Sequence, residues 1–147
     1  MAGRRPSKRY SSALFRCQLV WLLNELKVID QDTEEVRMHD IIVDNDLNAM
    51  GTSFHNVTIT VNPLKLLKFL GKDYVSDDYK ISREWICEFN GNVFTVYDWK
   101  ETSLYDERLP SPDAFWSGSE VELHVGSHLG APYEHEFVDA LMAELNA

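Results

Sequence analysis

Three histidines towards the C-terminal end of the chain are the side chains whose types suit metal binding or acid–base catalysis. His124 and His128 are four residues apart, and His135 is followed by Glu136. Zinc requires three or four such ligands that converge with tetrahedral geometry. Gly126 lies between the first two histidines and disfavours the regular helix that would align them. The spacing therefore favours solvent-facing histidines and no metal site, and it leaves a histidine-dependent hydrolase or phosphoesterase as an alternative.

Residues 126–130, Gly-Ser-His-Leu-Gly, have a composition that could hold an anion. Between a predicted strand and a predicted helix, backbone N–H groups and the helix dipole can bind a phosphate. The spacing differs from that of a Walker loop and no lysine follows. Glu134 and Glu136, in the first turn of the helix, would repel an anion. An ordinary connector is the favoured interpretation, with Ser127 and His128 as candidate ligand-binding residues.

Aromatic residues accompanied by arginines are the least generic feature of the chain. Tyr97 and Trp99 share the outer face of a predicted hairpin, and Phe115 and Trp116 follow in a long loop. Such rings can enclose a base or another planar ligand, and an arginine can meet its phosphate. The candidate ligand-binding residues of this group are Arg83, Tyr97, Trp99, Arg108 and Trp116. The alternative is that Trp99, Phe115 and Trp116 form a satellite core beneath the loop.

Other spacings that resemble catalytic or metal motifs are incomplete. Residues 44–48 match the opening of a calcium-binding EF-hand loop, but Ala49 and His55 stand where glycine and glutamate are required. Cys17 and Cys87 fall on apolar faces, where a thiol is inert. No catalytic residue and no cofactor is therefore predicted, and a non-enzymatic protein is favoured over an enzyme.

The clearest structural pattern is a β-hairpin at residues 83–100. Two runs of β-branched and aromatic residues flank Asn90-Gly91-Asn92, and Asn-Gly is the strongest signal for a tight hairpin turn. A loop at Asn90-Gly91 places Cys87 opposite Phe94, whereas a loop at Gly91-Asn92 shifts the partners by two residues. Both loops put the same residues on one face, which is predicted to be a wall of the core: Trp85, Cys87, Phe89, Phe94 and Val96.

Apolar periodicity and capping residues predict the other elements. These are a helix from residue 11 or 12 to about 27, strands at 36–44, 54–61 and 120–125, a short helix between Asn62 and Gly71 with Leu64, Leu67 and Leu70 on its apolar edge, a loop at 101–119, a glycine-bearing turn at 126–131 and a helix at 132–145. The fold class that follows is α+β, with a mainly antiparallel sheet of about five strands and the N- and C-terminal helices packed on one face.

The length of 147 residues fits one domain at 11–147, preceded by a basic flexible tail at 1–10. Five of the 14 basic residues and no acidic residue lie in residues 1–16, so nine basic residues accompany all 24 acidic ones in the remainder. Because an acidic body repels nucleic acid, nucleic-acid binding is expected only through the tail. Residues 14–26 are too short and too polar to span a membrane, and two cysteines are typical of a reducing, cytoplasmic protein.

These features favour a non-enzymatic binding domain that acts as a homo-oligomer. The wide apolar face of the N-terminal helix would supply the contact between copies. The outer face of the hairpin and the long loop would hold a partner or a small nucleotide-like ligand. A phage or viral accessory protein that sequesters a nucleotide signal is one concrete form. There are three alternatives: the histidine-dependent hydrolase, an acidic inhibitor that mimics nucleic acid, and a structural protein.

Overall fold

The computed structural model describes residues 40–74 and 79–147. The predicted tail, the predicted N-terminal helix and the beginning of the predicted strand at 36–44 lie outside these residues. Among the described helices, none is both long and apolar enough to cross a membrane.

The described residues form one antiparallel sheet of five strands and three helices, which confirms the predicted α+β class. The strands are β1 (Ile42–Val43), β2 (Thr52–Val61), β3 (Glu84–Phe89), β4 (Asn92–Tyr97) and β5 (Val121–His128). The helices are α1 (Pro63–Leu70), α2 (Pro112–Trp116) and α3 (Glu134–Asn146). The strands lie in the order β1-β3-β4-β5-β2, and each neighbouring pair is antiparallel.

The hairpin of β3 and β4 has the loop at Asn90-Gly91, the first of the two predicted loops. Cys87 pairs with Phe94, and the loop residues Asn90 and Gly91 have φ angles of 49° and 74°. Positive φ at both positions is what a two-residue turn of this hand requires. The predicted core residues on this side of the hairpin are all buried: Trp85, Cys87, Phe89, Phe94 and Val96. We call this side of the sheet the inner face and the opposite side the outer face.

Helix α3 packs on the inner face through its aromatic residue. The ring of Phe137 stacks on Phe94 with 4.5 Å between centroids and meets the ring of Phe89 edge-on at 6.0 Å. Leu141 and Leu145 of the same helix are buried in the same cluster. The spacing of these three helix residues was predicted, and their contact with the sheet confirms that the C-terminal helix covers this face.

Helix α1 begins and ends at the predicted residues but turns a different side towards the core. The side chain of Asn62 caps its first turn, and Gly71 follows its last turn. Leu70 is buried and Leu67 packs against the core, as predicted. Leu64, however, is 63% exposed and Leu66 is buried, so the predicted apolar edge is wrong at Leu64. Two leucine stripes fit helical spacing in this segment, and packing against the sheet selects the one that includes Leu66.

Strand β5 is longer than predicted, and the glycine-bearing turn expected at 126–131 is wrong for residues 126–128. Gly126 pairs with Thr95 of β4 on one side and with Phe54 of β2 on the other. Because β5 is a central strand with a ladder on each edge, the sheet outweighs the local preference of glycine for a turn.

Two other predicted segments differ in detail. β2 begins at Thr52 rather than at residue 54, and its pairing with β5 shifts between Phe54 and Val57. Asn56 lies in this bulge with φ 64°, a conformation that asparagine adopts more readily than most residues. The predicted loop at 101–119 contains the short helix α2, which is capped by the side chain of Ser111.

Candidate functional site

A pocket of about 430 Å³ lies on the outer face of the sheet. We call it the outer pocket and define it by the side chains that give it its chemistry: Phe54, Glu84, Thr95, Tyr97, Trp99 and His124. These residues come from β2, β3, β4 and β5 and from the residues directly after β4. A volume between 300 and 1,000 Å³ is typical of small-molecule sites.

The register of the strands places these side chains together. Tyr97 pairs with Glu84 of β3 on one side and with His124 of β5 on the other. Directly opposite residues of an antiparallel pair point to the same face. Thr95 and Phe54 join them because both pair with Gly126, which also faces outwards.

Four rings form a continuous row along the outer pocket. Phe54 stacks on His124 with 4.0 Å between centroids and 16° between planes. Tyr97 meets His124 edge-on at 5.7 Å and Trp99 edge-on at 6.3 Å. Contacts of this kind stabilise ring positions beyond the apolar area that they bury. The row therefore offers a ligand an aromatic wall whose rings support one another.

Gly126 leaves room for the polar floor of the outer pocket. A Cβ atom at position 126 would overlap the hydroxyl of Thr95 and would touch the ring of Tyr97 at 3.4 Å. Thr95 is only 2% exposed. The absence of a side chain at Gly126 therefore allows Thr95 and Tyr97 to lie close to the β5 backbone.

A carboxylate lies beside a phenol in the outer pocket, because Glu84 pairs with Tyr97. Burial, followed by the negative charge of Glu84, raises the pKa of Tyr97. The phenol of Tyr97 therefore stays protonated at neutral pH and can donate a hydrogen bond, while the carboxylate of Glu84 can only accept.

Two lysines that do not themselves line the outer pocket lie near the ring of Trp99. The Nζ atoms of Lys80 and Lys100 lie 5.5 Å and 5.6 Å from the centre of the Trp99 ring. Lys100 Nζ also lies 4.8 Å from the ring of Tyr105. The N–H of Lys100 donates to the carbonyl of Lys80 over 2.7 Å, which holds the two residues side by side. Two positive charges thus lie near the ring of Trp99, although the net charge of the chain is −10.

Asp98 positions the segment that carries Lys80. Its carboxylate accepts hydrogen bonds from the Ser82 N–H at 2.9 Å, the Ser82 hydroxyl at 2.8 Å and the Arg83 N–H at 2.9 Å. Asp98 is 1% exposed. Burial raises its pKa above the ordinary value, and these hydrogen bonds oppose that rise. The sequence analysis did not single out Asp98, although its place between Tyr97 and Trp99 indicates that it lies next to the candidate site.

Of the residues that the sequence singled out, the structure brings Tyr97 and Trp99 together in the outer pocket. Trp116 is buried instead, edge-on to Trp85 at 5.5 Å, and its Nε1–H donates to the Ser82 hydroxyl. Arg83 lies 5.6 Å from the ring of Trp116, not in the outer pocket. Trp116 therefore belongs to the main hydrophobic core and not to a separate satellite core with Trp99, which lines the outer pocket.

Arg108 also lies away from the outer pocket. Its guanidinium binds the carboxylate of Asp106, two residues earlier in the loop, and its side chain is 85% exposed. The hydrogen bond from Arg108 lowers the pKa of Asp106. This pair is local to the loop and brings no charge to the rings.

Ser127 and His128 line a different cavity, of about 350 Å³. The hydroxyl of Ser127 donates to the carboxylate of Glu134, so this serine already has an acidic partner. His128 and His135 line this cavity, whereas His124 lines the outer pocket. Within residues 40–74 and 79–147, no three His, Cys, Asp or Glu side chains are arranged to hold a metal ion.

No protein-family model matches the sequence, and no curated protein matches it. The residues of the outer pocket therefore carry the functional interpretation.

Proposed function

We propose that this chain is a binding domain without catalytic activity, and that it holds a small planar, nucleotide-like ligand in the outer pocket. The observation that carries the proposal is the row of four rings, from Phe54 to Trp99, along a pocket of about 430 Å³. Stacking of a base on an aromatic side chain contributes about 1–3 kcal/mol. Such a row favours a ligand with a flat face.

Two titratable groups, Tyr97 in the outer pocket and Cys87 on the inner face, favour binding over catalysis. A tyrosine that acts as a base or nucleophile needs a lowered pKa, whereas burial and Glu84 raise the pKa of Tyr97. Cys87 is buried on the inner face, and burial raises the pKa of its thiol to about 12. Neither group is prepared for attack on a substrate.

Titration calorimetry of the full chain with a panel of nucleosides, nucleotides and cyclic nucleotides tests the proposal. At least one ligand of the panel is expected to bind and to be recovered unaltered by chromatography. Trp99→Ala is expected to weaken that binding about tenfold or more, because it removes one stacking face.

Tyr133→Ala is the matched control, since Tyr133 is an exposed ring outside the outer pocket. A panel in which no ligand binds would contradict the proposal. Recovery of a hydrolysed ligand would instead indicate the histidine-dependent hydrolase.

The association of copies through the N-terminal helix belongs to the same proposal and rests on the sequence alone. Apolar residues at three- and four-residue spacing, widened by Val20 and Trp21, make a face broader than a single surface helix needs. Native mass spectrometry at micromolar concentration is expected to detect an oligomer, and a clean monomer would contradict it. The role as a phage or viral accessory protein also remains a prediction from the sequence.

A further inference from the structure

Two hydroxyl groups of β4 lie almost fully buried in the lining of the outer pocket. Thr95 is 2% exposed and Tyr97 is 9% exposed. Neither hydroxyl makes a hydrogen bond to a described residue, and no side-chain polar atom of the described residues is enclosed without a partner. Both oxygens must therefore open into the pocket that their side chains line. Since buried polar groups are nearly always hydrogen-bonded, water or a ligand must satisfy these two hydroxyls.

The remaining hydroxyl groups of the lining already have partners. The Thr52 hydroxyl donates to the carbonyl of Ala49 over 2.8 Å, and the Ser53 hydroxyl lies 3.1 Å from Nε2 of His55. Among the described lining residues, the hydroxyls that still lack a partner are therefore those of β4.

His124 adds a third polar group beside these two hydroxyls. Tyr97 pairs with His124 across β4 and β5, and the two rings meet edge-on at 5.7 Å. The contacts of the imidazole with described residues are ring contacts, with Phe54 and Tyr97, and include no hydrogen bond. A neutral imidazole presents one donor and one acceptor, and a hydroxyl can act as either. Such groups suit the uncharged polar edge of a heterocycle.

The lining supplies no positive charge for an anion. Among the described residues that line the outer pocket, none is a lysine or an arginine, and the acidic Glu84 already takes part in another interaction. Lys80 and Lys100 lie near the ring of Trp99 but outside the lining. A phosphate in the pocket would therefore lose its hydration without gaining the charge-assisted contacts that compensate for this loss.

We infer that the outer pocket recognises the base of a nucleoside, whose uncharged polar edge hydrogen-bonds to Thr95, Tyr97 and His124, and that a phosphate group, where the ligand has one, stays outside the pocket. The row of rings supplies the surface on which the base stacks. This assignment rests on the proposed function, because it names the part of the ligand that the same pocket holds. It needs no arginine, in contrast to the phosphate contact that the sequence suggested.

Calorimetry of the full chain with matched pairs of nucleosides and their monophosphates tests the assignment. The nucleoside that binds is expected to match its monophosphate within about fivefold, because charge contacts at a protein surface contribute no more than about that factor. Raising the salt concentration is expected to leave both affinities nearly unchanged, since salt weakens only charge contacts. A monophosphate that binds much more tightly than its nucleoside, with an advantage that shrinks in salt, would overturn the assignment and leave the proposed function intact.

Tyr97→Phe removes one hydroxyl and keeps the ring. It is expected to weaken nucleoside binding about two- to tenfold, because one neutral hydrogen bond contributes about that factor. Thr95→Val removes the other hydroxyl at nearly the same volume and is expected to act in the same range. The matched control is Tyr133→Phe, which removes the hydroxyl of an exposed tyrosine outside the outer pocket and is expected to bind like the wild type.

A third variant, His124→Phe, keeps a ring at position 124 and removes the imidazole nitrogens, so the test does not depend on whether Thr95→Val folds. Circular dichroism identifies the variants that are folded. If the folded variants among these three bind the nucleoside like the wild type while Trp99→Ala weakens binding, the assignment is overturned and the proposed function stands. If no nucleoside and no nucleotide binds to the wild-type chain, the proposed function itself fails.

Discussion

The two faces of the sheet use the same strands and the same kinds of side chain for different purposes. On the inner face, Phe94 is stacked on Phe137, and helices cover the strands, so its rings are enclosed. On the outer face, Phe54 is stacked on His124, and the row of rings has an open side that forms the outer pocket. Aromatic contacts alone therefore do not distinguish a core from a candidate site, whereas enclosure does.

This difference follows from the two-residue period of a strand. Neighbouring residues of β4 point to opposite faces, so Phe94 and Val96 contribute to the core while Thr95 and Tyr97 form the outer pocket. A shift of one residue in pairing would exchange the two sets. Substitutions on the two faces should therefore separate folding from binding.

The largest effect is expected from Phe137→Ala. Removing a fully buried ring that contacts Phe89 and Phe94 should lower the free energy of unfolding by about 3–5 kcal/mol. Phe54→Ala is the matched change on the outer face, where Phe54 is 37% exposed, and should cost much less. Urea denaturation measures both. Equal losses would mean that the outer face is as much a core as the inner face.

An intermediate effect is expected from Gly126→Ala. The new methyl group would overlap the Thr95 hydroxyl, and overpacking of this kind costs about 1–3 kcal/mol of unfolding free energy. In the double variant with Thr95→Ala the overlapping hydroxyl is gone, so part of that cost should be recovered. Urea denaturation of the two single variants and the double variant gives the coupling energy. Additive losses would contradict the close approach.

The smallest effect concerns Asp98, whose carboxylate accepts a hydrogen bond from Ser82, which in turn accepts one from Trp116. Burial raises the pKa of this carboxyl, so the folded chain binds more protons than the unfolded chain above about pH 4. The free energy of unfolding of the wild type should therefore fall, relative to that of Asp98→Asn, as the pH rises from about 4 through the folded-state pKa.

Urea denaturation at a series of pH values measures that difference. Asp106→Asn is the matched control with the opposite sign, because the hydrogen bond from Arg108 lowers the pKa of Asp106. Its stabilising contribution should be present above the ordinary pKa of aspartate and should be lost as the pH falls through the lowered pKa. If the free energies of unfolding of the wild type and of Asp98→Asn depend on pH in the same way, folding does not raise the pKa of the Asp98 carboxyl.

Sequence patterns were most informative where the deciding interactions are local. The turn at Asn90-Gly91, the cap at Asn62 and the alternation along β3 and β4 all depend on residues a few positions apart. They failed where two local solutions compete. Leu64 and Leu66 both fit an apolar helix stripe, and Gly126 suits both a turn and a strand, so only the neighbouring strands and helices decide.

Only part of the outer pocket was predicted, because sequence patterns identify residues that are close together in the chain. Tyr97 and Trp99 were found because they are close together on one strand and its continuation. Phe54 and His124 were not recognised as their neighbours, because strand pairing brings them in from distant parts of the sequence. Arginines close in sequence were expected at the rings, whereas the structure places Lys80 and Lys100 there.

The sequence by itself determined the hairpin, the identity of its buried face and the α+β class, because strand alternation and turn chemistry are written in neighbouring residues. Only the tertiary structure decided which rings remain open to a ligand and which charges accompany them. Enclosure depends on the order of strands in the sheet and on which side the helices cover. The strand order and the position of the helices both depend on contacts between distant segments. For this reason Trp116 lies in the core, whereas Trp99 lines the outer pocket.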